Sequence, residues 1–541
     1  MIDGPSRRTL LAGSLAGLTL PKPALASAGL PARPNIVVIL ADDLGWGEIG
    51  GQGQRLISTP NLDRLAAEGV RFETAYSGAP LCAPSRCAPS RCALLTGLHA
   101  GHGTVRENPE GGPQRSLTDA DLTFAELLRL SGYRTACFGK WGFGPERPEQ
   151  ASHPNERGFD EFFGYIGHAH AHQYFPKYLW HNRAKVRLDG RSYAPDLFRE
   201  RAVEFIRRGG DDPFLLYYPT ILPHSPSVIP GDAGRYEDRP WSGPNRRHAA
   251  QVARLDADVA TLVRELRATG LAESTLVLFT SDNGPHSEKG VTPELFDSNG
   301  PWRGDKRDVY EGGIRVPLIA WSPALRPRVV KQPVASWDVL PTLADLAGVP
   351  VPAHLDGLSF RGLLTGAGAP KHDHLVWNRP RKAQALRRGR WKLVRFAPHI
   401  AGAGPEGRIE LYDLATDPAE SRDLAAERVE LVDELTIMLD DSIGPDPRIP
   451  YGLKTEIIGG QVVVTLHNGS AAPWREVKLS LKGDGAVNSA VYRARTMPRV
   501  DPGTAISVGF PLPRGSGSGK QITARAGFDA GGRSLSFRKA V

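Results

Sequence analysis

The chain has 541 residues, 40% of them hydrophobic and 23% charged, a composition that fits a soluble globular protein with two or three domains. A formal net charge of +8 and a pI near 9.3 favour anionic partners, such as anionic glycans or sulfated and phosphorylated molecules. The sequence contains no nucleic-acid motif and no basic stripe interleaved with aromatic residues, so we predict no nucleic-acid partner.

The N-terminus predicts a twin-arginine signal peptide over residues 1–28. Arg7 and Arg8 precede a weakly apolar run over residues 10–20, and small-residue cleavage sites end at Ala26 and Ala28. The run is too short and too rich in glycine to form a permanent membrane anchor. We therefore predict a periplasmic or secreted protein exported by the twin-arginine machinery, and a disordered basic N-terminus is the alternative.

Strands and helices alternate over residues 29–370, which predicts an α/β domain with helices on both faces of its sheet. Continuous apolar runs at 35–40 and 275–280 are typical of buried central strands. Shorter strands are predicted at 134–138 and 214–218. Helices are predicted from the Thr59-Pro60 pair to Gly69, from the Thr123 and Glu126 capping box to near Gly132, and over 252–269.

The pattern changes after residue 370. Short strands at 375–377 and 391–394 and a helix at 430–439 predict a small α+β subdomain over residues 371–450. Apolar residues then alternate with polar ones between turns rich in glycine and serine, which predicts an all-β accessory domain over residues 451–541.

Polar side chains follow the two strongest strand patterns. Asp42 and Asp43 come after the first, and Asp282 and Asn283 come after the second. Open α/β sheets place their sites at the carboxyl ends of strands, and oxygen ligands suit Ca²⁺ or Mg²⁺. Loop capping by Asp and Asn would explain either pair alone, but two pairs after two buried strands favour a metal site.

Three cations and a histidine also follow strand or turn patterns. Arg91, Lys140 and Lys306 each lie beside Gly or Pro, and His224 follows the strand predicted at 214–218. Each cation alone is most simply a solvated surface charge. Beside a dication, however, the three could hold a tetrahedral oxyanion, and His224 could supply a proton to a leaving group.

Three of the four cysteines fall in one short segment, as Cys82, Cys87 and Cys92, with Cys137 the fourth. This arrangement is not a disulfide framework, and the spacing does not suit zinc. The pattern therefore favours a chemical role for one cysteine.

These residues together resemble a type I, formylglycine-dependent sulfatase of the alkaline phosphatase superfamily. Cys87-Ala-Pro89-Ser90-Arg91-x4-Thr96-Gly97 is similar to the family signature. The segments ending in Asp42-Asp43 and Asp282-Asn283, and those around Lys140, His224 and Lys306, resemble its remaining site motifs. The resemblance spans about residues 33–450 and implies a mixed sheet sandwiched by helices, as in bacterial carbohydrate sulfatases and arylsulfatases.

The resemblance also implies a mechanism. A formylglycine-generating enzyme oxidises Cys87 to formylglycine, whose hydrate attacks the sulfur of a sulfated small molecule or glycan. Ca²⁺, or Mg²⁺, is bound by Asp42, Asp43, Asp282, Asn283 and the modified Cys87, and Asp282 helps to deprotonate the nucleophile. Arg91 and Lys140 hold the oxyanion, and His224 with Lys306 protonates the departing alcohol. The second hydroxyl of the hydrate then expels sulfate.

One position departs from the family pattern. Many relatives have a histidine after Gly-Lys-Trp, whereas this chain continues Lys140-Trp141-Gly142. A histidine-rich run over 167–172 follows, and we hypothesise that His172 or His170 fills the vacant role. A cluster that only faces the substrate or the surface is the alternative.

Both Cys82 and Cys87 begin a Cys-x-Pro-Ser-Arg unit. A helix starting at Pro89 would continue without a breaker, whereas one starting at Pro84 would meet Pro89 in its interior, at a cost of about 3 kcal/mol. We therefore predict Cys87 as the nucleophile. Two alternatives to a sulfatase remain open, namely a phosphonate monoester or phosphodiester hydrolase with the same site, and a non-catalytic protein that binds sulfated glycans.

Overall fold

The computed structural model describes residues 29–80, 89–106, 114–352, 354–380, 382–397, 400 and 407–443, together with seven strands between residues 451 and 540. The predicted signal peptide over 1–28 and the two cysteines Cys82 and Cys87 lie outside the described residues. In the part of the chain that is described, no helix is long and apolar enough to cross a membrane.

In the described part of the chain, sixteen strands precede residue 451. In chain order they are β1 (Asn35–Ala41), β2 (Val70–Phe72), β3 (Ala75–Tyr76), β4 (Arg134–Lys140), β5 (Glu161–Tyr165), β6 (Tyr178–His181), β7 (Ala184–Arg187), β8 (Phe214–Pro219), β9 (Thr275–Ser281), β10 (Leu318–Trp321), β11 (Arg328–Val330), β12 (Val334–Ala335), β13 (Leu375–Arg379), β14 (Ala383–Arg388), β15 (Trp391–Phe396) and β16 (Arg408–Asp413).

The described residues also form ten α-helices. They are α1 (Pro60–Glu68), α2 (Pro89–Thr96), α3 (Phe124–Leu130), α4 (Ala194–Arg207), α5 (Gly243–Ala268), α6 (Pro293–Phe296), α7 (Glu311–Ile314), α8 (Val339–Ala347), α9 (Arg361–Thr365) and α10 (Val429–Ser442).

Ten of the strands form one sheet in the order β11-β2-β10-β9-β1-β8-β4-β5-β6-β7. The strands β9, β1, β8 and β4 run parallel at its centre, and β10 lies antiparallel to β9. Every residue of β1 and β9 is buried, as expected for strands covered on both faces. The predicted α/β fold, a large mixed sheet with helices, is confirmed.

Two hydrophobic clusters cover the two faces of this sheet. Successive residues of β1 alternate between them, with Val37 and Ile39 in one and Ile36 and Val38 in the other. This alternation follows from the two-residue period of a strand. The core therefore fixes the register of β1, and with it the direction of the residues that follow the strand.

Local sequence signals place several helix ends. Thr123 accepts a hydrogen bond from the Glu126 backbone at 3.1 Å, and the Glu126 carboxylate accepts one from the Thr123 backbone at 2.9 Å, which is the predicted capping box. The prediction for α5 is wrong at its start, because this helix begins at Gly243 rather than at residue 252. Ser242 caps it by accepting from the Asn245 backbone, and Pro244 is tolerated in the first turn.

A four-stranded antiparallel sheet, β13-β14-β15-β16, packs with α10 after the large sheet. Seven further strands follow, in sheets of three and four. They are β17 (Tyr451–Ile458), β18 (Gln461–Asn468), β19 (Trp474–Gly483), β20 (Arg495–Val500), β21 (Ala505–Pro511), β22 (Ile522–Ala530) and β23 (Ser534–Ala540). These two groups match the elements predicted for the α+β and all-β regions.

Candidate active site

The carboxyl ends of β1 and β9 meet at the centre of the sheet. The two strands pair in parallel with Ala41 opposite Ser281, so the acidic residues that follow them become neighbours. The Asp43 backbone donates to Asp282 Oδ1 at 3.1 Å, and Asn283 Nδ2 donates to Asp43 Oδ1 at 2.9 Å. The structure thus brings together the four residues that the sequence analysis assigned to a metal.

Among the described residues, two oxygens of this group find no hydrogen-bond partner although they are buried. They are Oδ1 of Asp42 and Oδ1 of Asn283. An unpartnered buried oxygen costs free energy unless a cation or another donor meets it. Carboxylate and amide oxygens are the ligands that hard cations such as Ca²⁺ prefer. The donor set present therefore fits the implied metal, which Asp42, Asp43, Asp282 and Asn283 would hold.

Three buried cations surround the carboxylates. Lys140 Nζ lies 2.6 Å from Asp42 Oδ2, and Lys306 Nζ lies 2.7 Å from Asp43 Oδ2. Arg91 NH2 lies 3.0 Å from Asp282 Oδ2 and 3.4 Å from Asp42 Oδ2. None of the three is the solvated surface charge that the sequence left as the alternative. Each is held against a carboxylate, where it can also face an anion.

Burial and the neighbouring charges give the three carboxylates of this group different pKa values. Burial tends to raise the pKa of Asp42 and Asp43, but the nearby positive charges together outweigh it, chiefly Lys140 for the first and Lys306 for the second, so both pKa values are lowered. Burial, reinforced by the charge of Asp42, raises the pKa of Asp282 to about 7. In the absence of a bound metal, Asp282 is thus the carboxylate of the group that protonates most readily.

His224 lies beside the second lysine. Its Nε2 is 3.4 Å from Lys306 Nζ and 3.4 Å from Asp43 Oδ2, while its Nδ1 is hydrogen-bonded to the Ser225 carbonyl. Burial lowers the pKa of His224 to about 3, more than the nearby carboxylates raise it. With its orientation fixed through Nδ1, the ring presents Nε2 to the pocket.

The histidine-rich run reaches the same pocket through His172 and His168, which both contact the ring of His224. The His172 ring stacks on His224 with centroids 4.8 Å apart, and its buried Nε2 has no hydrogen-bond partner in the part of the chain that is described. His168 packs edge-on against His172 at 5.0 Å. His170 Nδ1 instead lies 2.6 Å from Glu146 Oε1, and its ring packs on Tyr178. Of the two histidines hypothesised to fill the vacant role, the structure places His172 beside His224 and turns His170 toward Glu146.

Helix α2 carries Arg91 into the site. It begins at Pro89 and runs to Thr96 with no interior proline, which is the helix start predicted for the Cys87 register. Arg91 NH1 donates to the Lys140 carbonyl at 2.9 Å, so the end of β4 and the first turn of α2 are tied together. Cys87 itself lies outside the described residues, and its role stays a prediction.

Sequence reasoning missed two residues at the mouth of this pocket. Glu288 Oε1 lies 3.3 Å from Lys306 Nζ and also accepts a hydrogen bond from Arg307 NH2. The side chains of Arg307 and Glu288 are 30% and 24% exposed, whereas that of Lys306 is 2% exposed. The pair therefore forms the solvent-facing edge of a site whose other members are buried. Neither residue belongs to a motif, and the position of Arg307 directly after Lys306 is the only sequence signal.

A cluster of paired charges of this kind, placed past the central strands of a mixed sheet, defines a hydrolase site for a tetrahedral oxyanion ester. Comparison with known proteins identifies the family of hydrolases to which the chain belongs. The Sulfatase family model matches residues 34–349, and the model described as N-sulphoglucosamine sulphohydrolase, C-terminal, matches residues 301–443. The chain belongs to the sulfatase family, whose members are sulfuric ester hydrolases.

Individual proteins that the chain resembles are also named sulfatases. The dog N-acetylgalactosamine-6-sulfatase is 34% identical over 380 residues, covering 64% of this chain and 69% of the relative. Human arylsulfatase A is 32% identical over 470 residues, covering 77% and 86%. The crystal structure of Ps i-CgsB has a TM-score of 0.67 and 29% identity, covering 77% of this chain and 94% of that one, and the same protein has been solved in complex with k-i-k-neocarrahexaose. The predicted resemblance to sulfatases is confirmed.

Proposed function

We propose that this enzyme removes sulfate from a sulfated carbohydrate, using a formylglycine made from Cys87 and a Ca²⁺ ion. The observation that carries the proposal is the pair of unpartnered oxygens on Asp42 and Asn283, buried within a ring of three cations. The sugar substrate is supported by the carbohydrate bound to Ps i-CgsB and by the net charge of +8, which favours anionic ligands.

The proposed Ca²⁺ would be held by Asp42, Asp43, Asp282 and Asn283 together with the modified Cys87. When bound, such an ion neutralises charge that develops on a sulfate oxygen and lowers the pKa of a coordinated hydroxyl. The rest of the chemistry falls to the chain. Lys140 and Lys306 keep Asp42 and Asp43 ionised, so that the site can receive the dication.

The aldehyde on residue 87 would supply a hydrated nucleophile that can release its sulfate. Residue 87 would lie just before the first turn of α2, where free backbone N–H groups favour an anion. Arg91, in that first turn, adds a guanidinium whose NH2 is held by Asp282 at 3.0 Å. The helix terminus and Arg91 would thus orient the sulfate and offset its charge.

Proton transfer would be shared by three groups. Asp282 would accept the proton of the nucleophile, because it is one of the carboxylates proposed to share the metal with the modified residue 87. The Lys306 ammonium would supply the proton for the departing alcohol oxygen, and the neutral His224 ring, whose Nε2 lies 3.4 Å from Lys306 Nζ, would relay it. His172, stacked on His224 with a free Nε2, would take the role that a histidine after Gly-Lys-Trp has in many relatives.

Peptide mapping tests the nucleophile. Trypsin releases Cys82 in the peptide 72–86 and Cys87 in the peptide 87–91, so a mass spectrum separates the two cysteines. Protein produced with a formylglycine-generating enzyme should carry the aldehyde in the second peptide. An aldehyde confined to the first peptide would overturn the assignment to Cys87, and unmodified cysteine in both would favour a non-catalytic binding protein.

Matched substrates test the reaction. We expect hydrolysis of 4-nitrophenyl sulfate to exceed that of a 4-nitrophenyl phosphonate monoester, and Cys87→Ala to abolish it while Cys82→Ala retains it. Faster turnover of the phosphonate would favour the phosphonate hydrolase instead. We further propose that the modification precedes twin-arginine export, which carries folded proteins, and that the enzyme acts in the periplasm or outside the cell.

A further inference from the structure

The rim of the pocket holds a second cationic feature. Arg379, the last residue of β13, donates from NH1 to the Arg307 carbonyl at 2.8 Å. The four-stranded sheet therefore contributes a guanidinium directly beside the residue that follows Lys306. Among the described residues, no carboxylate forms an ion pair with Arg379, whereas Arg307 is paired with Glu288.

The backbone of Arg307 is strained. Its φ is 92°, a left-handed value that costs of order 1–3 kcal/mol for a residue with a side chain. Two contacts hold it there, since the Arg307 N–H donates to the Pro80 carbonyl at 2.6 Å and its own carbonyl accepts from Arg379. Conformations of this kind cluster where a site needs a side chain in a set direction.

The Arg379 guanidinium is therefore held against the backbone of Arg307 at the solvent-facing edge, near enough for the charge of Arg307 to act on it. Two guanidinium charges at one edge, of which Arg379 forms no ion pair with a described carboxylate, create a place for an anion. Burial and the charge of Arg307 both lower the pKa of Arg379, while Asp308 raises it. Glu288 balances Arg307 and Lys306 only in part, because one carboxylate oxygen is shared between two cations.

We propose that Arg379 and Arg307 form a second anion subsite, which takes a further sulfate group of a substrate whose scissile sulfate lies at Lys306. This inference rests on the proposed function, and it narrows the substrate to a carbohydrate that carries at least two sulfate groups. The subsite would be reached from solvent, and arginine is the residue whose fork of N–H donors fits a sulfate bidentately. The enzyme would then select polysulfated sugars by charge as well as by shape.

Direct binding tests the subsite independently of turnover. Calorimetry would compare a disulfated galactose disaccharide with its monosulfated form, using calcium-loaded protein. Wild type should bind the disulfated sugar about tenfold more tightly, and Arg379→Gln should remove most of that preference, because a charge-assisted hydrogen bond is lost. Glutamine can still donate an N–H to the Arg307 carbonyl. Arg379→Lys keeps the charge and should retain part of the preference.

The control is Arg361→Gln, which removes a surface arginine paired with Asp345 and should leave the preference as in wild type. An unchanged preference in Arg379→Gln would overturn the subsite, and so would an equal loss for both sugars, because that result indicates a purely structural role. A disaccharide with a uronate in place of the second sulfate shows whether the subsite accepts carboxylates. Absence of sulfate ester hydrolysis in wild type would count against the proposed function, while the binding comparison would still decide the subsite.

Discussion

The imidazole of His172 stacks on that of His224, with ring planes 15° apart and centroids 4.8 Å apart. Burial lowers the pKa of both rings, and for His172 the charge of Lys140 adds to the effect. Both histidines are therefore neutral in the protein near pH 7, and each can accept a proton or orient a polar atom of the substrate. Because His172 Nε2 has no partner in the described structure, it is available to the reacting groups.

We predict that His172→Ala lowers kcat for 4-nitrophenyl sulfate by about 100-fold, the low end for a lost general acid–base group. His170→Ala should lower it less than about threefold, because His170 is held by Glu146 on the other side of the run. Steady-state kinetics would measure both. Equal kcat values for the two variants and wild type would contradict the assignment of His172 to the vacant catalytic role.

Asn283 should control calcium affinity. Asn283→Ala removes an oxygen of the proposed site and the hydrogen bond that fixes Asp43 Oδ1. We expect it to weaken calcium binding by about 10–100-fold, as measured by titration calorimetry. Asn283→Asp is the matched variant, since it keeps an oxygen but faces Asp43 with a second charge. If calcium binds both variants as it binds wild type, Asn283 is not a ligand.

Lys140 should stabilise the metal-free protein. Lys140→Met leaves Asp42 without its 2.6 Å partner, and breaking a buried ion pair costs about 3–5 kcal/mol. The remaining contact with Arg91, at 3.4 Å, should keep the loss near the lower value. Thermal melting in a chelator should show a lower Tm than wild type, and added calcium should raise it more in the variant, because the dication replaces the missing charge.

Lys331→Met provides the control for that experiment, because Lys331 is exposed and distant in the chain from the site. Its Tm should match that of wild type with and without calcium. The same loss of Tm in both variants would contradict a special role for the pair of Lys140 and Asp42.

The buried carboxyl of Asp258 should make the stability of the protein depend on pH. It lies on α5 with Oδ1 2.9 Å from Arg199 NH1, and burial raises its pKa to about 6, from an ordinary value of 3.8, despite that contact. The unfolded chain then loses this proton at lower pH than the folded protein does. Stability should therefore fall as pH rises from about 4 to about 6, by at most about 3 kcal/mol from this group.

Asp258→Asn isolates the contribution of that carboxyl. Other groups titrate in the same range, so the quantity to measure is the difference in Tm between wild type and the variant at pH 4 and at pH 6.5. We expect the Tm of wild type, relative to that of the variant, to be higher at pH 4 than at pH 6.5. A difference that does not change with pH would show that Asp258 titrates normally.

Much of the site could be predicted from local sequence, because its polar residues directly follow apolar runs that are typical of strands. The apolar runs of β1 and β9 are followed directly by polar residues, which are Asp42, Asp43, Asp282 and Asn283. Because the two strands pair in parallel, these residues lie at the same edge of the sheet. The Thr123 capping box is equally local. These features depend on residues within a few positions of one another, which is the range over which patterns are informative.

The parts that could not be predicted depend on contacts between distant segments. The buried pair of Glu48 and His248, at 2.6 Å, joins residues 200 positions apart, and neither residue belongs to a pattern. The contact of Arg379 with Arg307 is of the same kind. Which of His170 and His172 faces His224 is decided by a single turn of 3₁₀ helix over His170–His172, whose side-chain directions a histidine-rich run does not reveal.

The pairing of β1 with β9 has a consequence for how the enzyme is made. Asp43 and Asp282 are 239 positions apart in the chain, yet their strands are neighbours in the sheet. A ribosome must therefore complete more than half of the protein before this pocket can close, and contacts of such long range form late in folding. Residue 87 is synthesised early in that interval, so the formylglycine-generating enzyme that we propose would have a period of access to extended polypeptide. A truncated chain that ends before β9 should remain a substrate for maturation while being unable to bind calcium.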